Sequence, residues 1–285
     1  MQMAEMIRCE IKKAFLNRWF LVALIIGCTL VAISASRNYQ VGFRSSDMML
    51  QYMETKWLDA SSISSYKYWV VVDFIQPLTG LFFQLLPLLA VIPFSWSYLE
   101  ERRSGYVGSI ITRTSRTHYF IAKYSAVFLS GALVITIPIL LNFLICACLM
   151  PMRTPDVFAV IYFGIWEESL WSEVFYTRPM LYVALFTLLN FSFSGIWAAS
   201  VFSLSALIKN RVALVVLPYL ALVYIEFISK AYFFDLIQIE LTPSGFLRGG
   251  GAGFPGNGYY IAVLSIVLLI LSIAGTIACH RRDAL

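Results

Sequence analysis

The chain has 285 residues, a formal net charge of +5, a hydrophobic fraction of 60% and a charged fraction of only 13%, and its mean hydropathy is +0.77. These values exclude an ordinary soluble domain, and six membrane crossings of about 20 residues each leave no room for a soluble catalytic domain. Prolines and glycines inside the apolar segments favour packed helices over a barrel. We therefore predict an all-α integral membrane protein with one transmembrane domain over residues 1–285.

The first predicted element is an amphipathic helix at residues 3–15. Its apolar face is expected to contain Ala4, Ile7, Ile11, Ala14 and Phe15. The basic residues elsewhere on its surface are expected to bind anionic lipid headgroups at the inner membrane interface. This helix is therefore predicted to lie on the membrane, just before the first span.

Six apolar runs are long enough to be read as membrane spans. They lie at residues 16–35, 77–98, 119–150, 180–208, 212–229 and 259–279. Pro77, Pro87 and Pro93 predict a kink or an unwound turn in the second span, and Pro138 is expected to interrupt the third. The expected bundle therefore contains at least two irregular helices.

The first and second spans are joined by a polar segment that is too long for a simple turn. Met49, Met53 and Trp57 recur in it at every fourth residue, a spacing that places them on one face of a helix. We predict a short amphipathic helix there, packed over the outer mouth of the bundle.

Charge differs between the two sides of the predicted bundle. Most of the 21 lysines and arginines lie at the two termini, in residues 100–123 and in the turn at 209–211, whereas most acidic residues lie in the other loops. Because positive loops stay in the cytoplasm, both termini are predicted to be cytoplasmic. Residues 36–76, 150–178 and 230–258 are then predicted to lie outside.

Residues 100–116 form a charged interval between the second and third spans. Its apolar residues would form a ridge on one side of a short surface helix. The ridge consists of Tyr106, Val107, Ile110 and Ile111. A ridge beyond the inner interface has no lipid to contact and is expected to need a protein partner. The alternative is a solvated, positively charged loop.

The same interval carries a resemblance to a known family. The interval begins with two acidic residues, Glu100 and Glu101, and continues with a Ser-Gly-Tyr-x-Gly turn at 104–108. A long apolar helix then opens with Thr-Arg-Thr-Ser-Arg-Thr-His-Tyr-Phe-Ile-Ala-Lys at 112–123. This pattern resembles the coupling-helix region of permease subunits of type-2 ATP-binding cassette exporters. The resemblance implies that Glu100, Glu101 and the four ridge residues dock into a separate ATPase subunit. Pairs between the two carboxylates and basic residues of that subunit would contribute only about 0–1 kcal/mol.

The resemblance also implies other properties of the chain. ATP and Mg²⁺ are expected in the partner subunit, with a homodimer or a sister permease completing the assembly in a bacterial plasma membrane. Residues 230–258 are expected to form an outer re-entrant segment of two half-helices. The expected substrate is an amphipathic, membrane-active peptide, as in exporters of phenol-soluble modulins or lantibiotics, and lipid, glycan or drug are the alternatives.

Few residues suit catalysis or metal binding. The only histidines are His118 and His280, neither in a metal-binding motif, and the five cysteines form no CxxC pair. The chain also has no P-loop sequence, so it cannot bind ATP in that way. We expect no catalytic residue, no metal, no cofactor in this chain and no nucleic-acid partner. An intramembrane enzyme or a stand-alone carrier is the alternative of another class.

Four polar residues inside the predicted spans are candidates for a substrate path: Gln84, Asn142, Asn190 and Glu226. A carboxylate inside a membrane usually has a function or a partner, although Glu226 lies close enough to the end of its span to reach water. For the three amides, hydrogen bonding between helices is the alternative role.

Overall fold

The computed structural model describes residues 3–52, 64–112, 114–157, 163–232, 241–250 and 257–282. Every regular element within these ranges is helical, so the predicted all-α class is confirmed. Five of the helices are long and apolar enough to cross a membrane. They are Arg18–Val41, Arg116–Leu149, Pro179–Ala206, Arg211–Ser229 and Gly258–Cys279. The sixth expected crossing instead contains a shorter apolar helix, Pro77–Val91.

The helices are numbered here in chain order. They are α1 (Met3–Phe15), α2 (Arg18–Tyr52), α3 (Ser65–Tyr68), α4 (Pro77–Val91), α5 (Ser97–Arg103), α6 (Tyr106–Ile111), α7 (Arg116–Leu149), α8 (Ser172–Thr177), α9 (Pro179–Ser203), α10 (Arg211–Tyr232), α11 (Pro243–Phe246) and α12 (Gly258–Arg282). A 3₁₀ turn, Leu204–Ala206, follows α9.

The helix of the first span is longer than predicted. α1 has the predicted bounds, but α2 continues beyond residue 35 to Tyr52. No proline occurs between Arg18 and Tyr52, and polar residues alone do not end a helix. Met49 therefore belongs to α2 and not to a separate short helix, while Met53 and Trp57 lie outside the described residues.

Two proline positions behave differently. α4 ends at Val91 and α5 begins at Ser97, so the predicted unwound turn in the second segment is confirmed around Pro93. The predicted interruption of the third span is wrong, because α7 runs continuously through Pro138. The Pro138 ring faces Gly27 of α2, where an added Cβ would lie 3.0 Å from the ring. The close approach of α2 leaves the ring space without a break in α7.

α7 lies at the centre of the bundle and packs against α1, α2, α4 and α9. Small residues permit this packing. A Cβ added at Gly131 would overlap Ala198 of α9 and come within 2.9 Å of the Ala90 carbonyl oxygen of α4. α10 and α12, by contrast, are the least buried of the candidate spans, so they form the perimeter of the described bundle.

The described part of the predicted re-entrant segment, residues 241–250, packs against the chain between α3 and α4. The amides of Gly249 and Gly250 donate to the Val71 carbonyl oxygen at 2.9 and 3.3 Å. Phe246 and Leu247 are buried. Residues 233–240 and 251–256 lie outside the described residues, so the predicted pair of half-helices stays a prediction.

The close contact at Gly131 leads to a first prediction. Replacing a helical glycine by alanine normally stabilises a helix by about 0.5–1 kcal/mol. At Gly131 the new methyl group has no space, so G131A is expected to lower the melting temperature of the detergent-solubilised protein. Gly108 of α6 is the matched control, because nothing lies within 4 Å of its added Cβ. G108A should leave the melting temperature unchanged or raise it; an equal loss in both variants would contradict this packing.

Candidate functional site

One end of the bundle carries α1, α5, α6, the start of α7 and the turn between α9 and α10. Its exposed basic residues are Arg8, Lys12, Arg102, Arg103, Lys209 and Arg211. We call it the basic end. The opposite end, with residues 64–73, α8 and residues 242–250, is called the far end.

Charged side chains from three helices meet inside the basic end. Lys123 Nζ of α7 lies 3.0 Å from Glu10 Oε2 of α1 and 2.8 Å from Glu101 Oε1 of α5. Lys13 Nζ lies 2.6 Å from Glu10 Oε1 and 3.6 Å from Glu101 Oε1. The Tyr119 hydroxyl donates to Glu101 Oε2 at 2.5 Å. These five residues are called the ion-pair cluster.

Each buried charge in the ion-pair cluster has partners of opposite charge. The side chains of Glu10 and Lys123 have no exposed surface, and removing such charges from water is costly unless both are paired and hydrogen-bonded. Two carboxylates face two ammonium groups, and each of the four carboxylate oxygens has a partner. The Phe94 ring lies 4.4 Å from Lys123 Nζ and adds a cation–π contact.

The electrostatic environment keeps Glu10 and Lys13, the two ion-pair cluster residues on α1, charged. Burial acts to raise the pKa of Glu10, but the charge of Lys123 and the hydrogen bond and charge of Lys13 outweigh it, so the pKa lies below its usual value. For Lys13, burial acts to lower the pKa, but hydrogen bonds with Glu10 and Tyr106 raise it above the usual value. Glu10 and Lys13 are therefore both charged at neutral pH.

The buried face of α1 overlaps only in part with the predicted apolar face. Met6, Glu10 and Ala14 are buried. Of the other predicted residues, Ile7, Ile11 and Phe15 pack partly buried against the core, and Ala4 is exposed. Relative to the predicted orientation, α1 is rotated about its axis so that Glu10 faces Lys123. The helix α1 packs on α7. One feature of the sequence does indicate this pairing: Lys123 lies within a long apolar run, where a charged residue requires a partner.

α6 carries the predicted ridge, but most of the ridge faces the protein's own interior. Gly105 precedes α6 with φ +73°, a left-handed conformation that glycine adopts readily. Val107 is buried, and Ile110 and Ile111 pack partly against the same apolar cluster. Tyr106 is 38% exposed, and its hydroxyl accepts a hydrogen bond from Lys13. The ridge therefore has contacts within the chain, and its expected contact with a protein partner stays a prediction.

Glu100 and Glu101 are adjacent but pair in different directions, and both pair within the chain. Glu101 belongs to the ion-pair cluster, whereas Glu100 Oε1 lies 2.5 Å from Arg211 Nη1 at the start of α10. Arg103 also donates to the Lys209 carbonyl oxygen at 2.7 Å. The two carboxylates therefore connect α5 to α1 and α7 on one side and to α10 on the other, and their expected contact with an ATPase subunit stays a prediction.

The four candidate path residues are in different surroundings. Gln84 is exposed on α4, and Glu226 is partly buried near the end of α10. Asn142 accepts from the Val70 amide at 2.7 Å and donates to the Val31 carbonyl oxygen at 2.9 Å.

Asn190 is also buried, and it donates to the Leu247 carbonyl oxygen at 3.2 Å. Both asparagines therefore link separate segments of the bundle, which favours the alternative of hydrogen bonding between helices.

The far end contains a second buried carboxylate, that of Asp73. Asn38 donates to its Oδ2 at 2.7 Å and the Thr79 hydroxyl at 2.9 Å. The backbone amides of Ile75 and Gln76 donate to its Oδ1 at 3.1 and 3.3 Å. Asp73 thus holds the start of α4 against α2, and we assign it a structural role.

Within the described ranges, no group of three or more His, Cys, Asp or Glu side chains could hold a metal ion. The chain matches no protein-family model and no curated protein sequence. Its all-helical fold and its five apolar helices of spanning length define the class as a multi-pass membrane protein.

The ion-pair cluster leads to a second prediction. Lys123→Met would remove the buried ammonium group and leave Lys13 as the one cation that faces both carboxylates in the cluster. Removing one partner of a buried ion pair typically costs about 3–5 kcal/mol. Glu100→Gln is the matched control, because the Glu100–Arg211 pair is 48% and 54% exposed and such pairs contribute about 0–1 kcal/mol. Melting temperatures in detergent should fall much further for Lys123→Met. Equal effects of the two changes would mean that the buried charges are not paired as described.

Proposed function

We propose that the chain is the membrane-spanning subunit of an ATP-driven exporter and that a separate ATPase subunit docks on α6 at the basic end. The observation that carries this proposal is the ion-pair cluster, because it fastens the segment resembling a coupling helix to the bundle. A force applied at α6 would reach α7 through Glu101 of the adjoining α5. A loosely attached surface loop could not transmit such a force.

The surface around α6 has room for a partner. A groove of about 600 Å³ lies between α1 and α6, with Met6, Cys9, Tyr106 and Ile110 among its lining residues. The exposed residues Arg8 and Lys12 lie on α1, which forms one wall of this groove, so the partner surface should combine an apolar side chain with acidic residues. In this proposal Glu100 and Glu101 position α6, and Tyr106 and Ile110 contact the partner.

We propose an amphipathic, membrane-active peptide as the substrate, with lipid, glycan and drug as alternatives. The aromatic fraction of 16% and the exposed Gln84 and partly buried Glu226 support a path with both apolar and polar surfaces. The assembly is proposed to be a homodimer or a pair with a sister permease in a bacterial plasma membrane, with both termini cytoplasmic.

Docking on α6 can be tested at Ser109, whose side chain is exposed. Ser109→Trp should block the partner surface without altering the chain's own packing, whereas Ile110→Glu also changes a partly buried position. The chain is co-expressed with a candidate ATP-binding cassette ATPase subunit, and ATPase recovery and ATP turnover are measured. We expect Ser109→Trp to lower both about tenfold, as a loss of about 1.4 kcal/mol would do.

Thr177→Trp is the control for this experiment, since Thr177 is exposed on α8 at the far end. It should retain the ATPase and its turnover. Normal docking of Ser109→Trp would exclude α6 as the docking element. Transport by the purified chain in the absence of any ATPase would favour a stand-alone carrier instead.

Orientation can be tested separately with single cysteines in a background that lacks the native five. Thr177→Cys and Asn257→Cys lie at the far end, and Lys209→Cys lies at the basic end; all three positions are exposed. An impermeant maleimide added to intact cells should label the first two and not the third. The reverse pattern would place the basic end outside.

A further inference from the structure

A second groove of about 570 Å³ lies between the first turns of α7 and the last turns of α12. Its apolar walls include Phe120 and Ile121 from α7 and Ile273 and Ile277 from α12. Both helices are candidate spans, so this groove opens toward the bilayer and not toward the solvent. It is distinct from the groove between α1 and α6.

Three of the four hydroxyl groups that line this groove, those of Tyr124, Ser125 and Thr276, have hydrogen-bond partners. Ser125 donates to the Ala122 carbonyl oxygen at 3.0 Å, and Thr276 donates to the Ser272 carbonyl oxygen at 2.7 Å. The hydroxyls of Tyr124 and Ser272 lie 2.8 Å apart and join the two helices. With these groups satisfied internally, the groove suits a hydrocarbon chain better than a polar ligand.

Basic residues occur at the ends of the two helices that form the groove. α7 begins at Arg116, and the sequence of α12 ends with His280, Arg281 and Arg282. The first amides of α7 add the positive end of a helix dipole at the same level. An anionic headgroup at the mouth would therefore meet complementary charge while its acyl chain enters the groove.

We propose that this groove is a binding site for an anionic phospholipid of the leaflet at the basic end, with one acyl chain between α7 and α12 and the phosphate at the mouth. The occupant is a lipid because the groove is formed by two spans, has an apolar wall and ends in basic residues. This inference does not depend on the proposed ATPase partner.

The test is native mass spectrometry of the full chain after reconstitution in vesicles of equal parts phosphatidylglycerol and phosphatidylcholine. One phosphatidylglycerol should remain bound after phosphatidylcholine has been lost. Ile277→Trp, which fills the groove, should lower the retained phosphatidylglycerol about tenfold. Ile270→Trp is the matched control, because Ile270 is an isoleucine on the same helix with a similar exposed fraction. That fraction is 58% for Ile270 and 50% for Ile277.

A second variant separates headgroup recognition from filling of the groove. Replacing Arg116, Arg281 and Arg282 by glutamine should leave lipid bound but lower the preference for phosphatidylglycerol at least about fivefold, since each basic residue near an anionic headgroup contributes a factor of this order. Equal retention of the two lipids by the parent protein would overturn the proposal. The proposal would also be overturned if Ile277→Trp left lipid retention unchanged but changed the oligomeric state. That result would assign the groove to a second copy of the chain.

Discussion

Burial of Lys123 is the constraint on which the arrangement of the basic end depends. An ammonium group without exposed surface in a membrane-spanning helix requires carboxylates with suitable geometry. Glu10 and Glu101 supply them from α1 and α5, two helices that are separated in sequence by two membrane segments. The charges therefore fix both the rotation of α1 and the position of α5. Buried ion pairs contribute little net stability on average, so their effect here is to specify one arrangement.

The two neighbouring carboxylates of α5 differ in how much their loss would destabilise the protein. Glu101 contacts a fully buried partner, so loss of either residue would remove one of the charges that balance the buried cluster. Glu100 contacts Arg211 in an exposed pair that water can replace. The attachment of α5 to α1 and α7 is therefore firm, whereas its attachment to α10 can break and re-form at small cost. Since α10 is also the least buried span, relative movement at the basic end is easiest between α5 and α10.

Local patterns predicted most helices, because span length, helix bounds and the turn at Pro93 depend on neighbouring residues. The bounds of α1 and the short helix α6 were predictable in this way. The buried face of α1 was not, because Met6 and Glu10 are selected by contacts with α7 and not by the hydrophobic pattern of α1. The partners of Glu100 and Glu101 also lie far away in sequence, at Arg211 and Lys123. Such pairings follow from the assembled bundle, and a single sequence contains only the indirect signal of a charge within an apolar run.

The first turns of α7 connect the two proposed binding sites. Tyr119 and Lys123 contact the segment that holds α6, while Phe120 and Ile121 line the groove between α7 and α12. A lipid in that groove and a partner on α6 would therefore act on opposite faces of the same helix. They would influence each other only if each binds more tightly to one position of α7 than to another, and the influence would then be equal in both directions. An exporter with this arrangement would respond to the anionic lipid of its membrane through α7 itself.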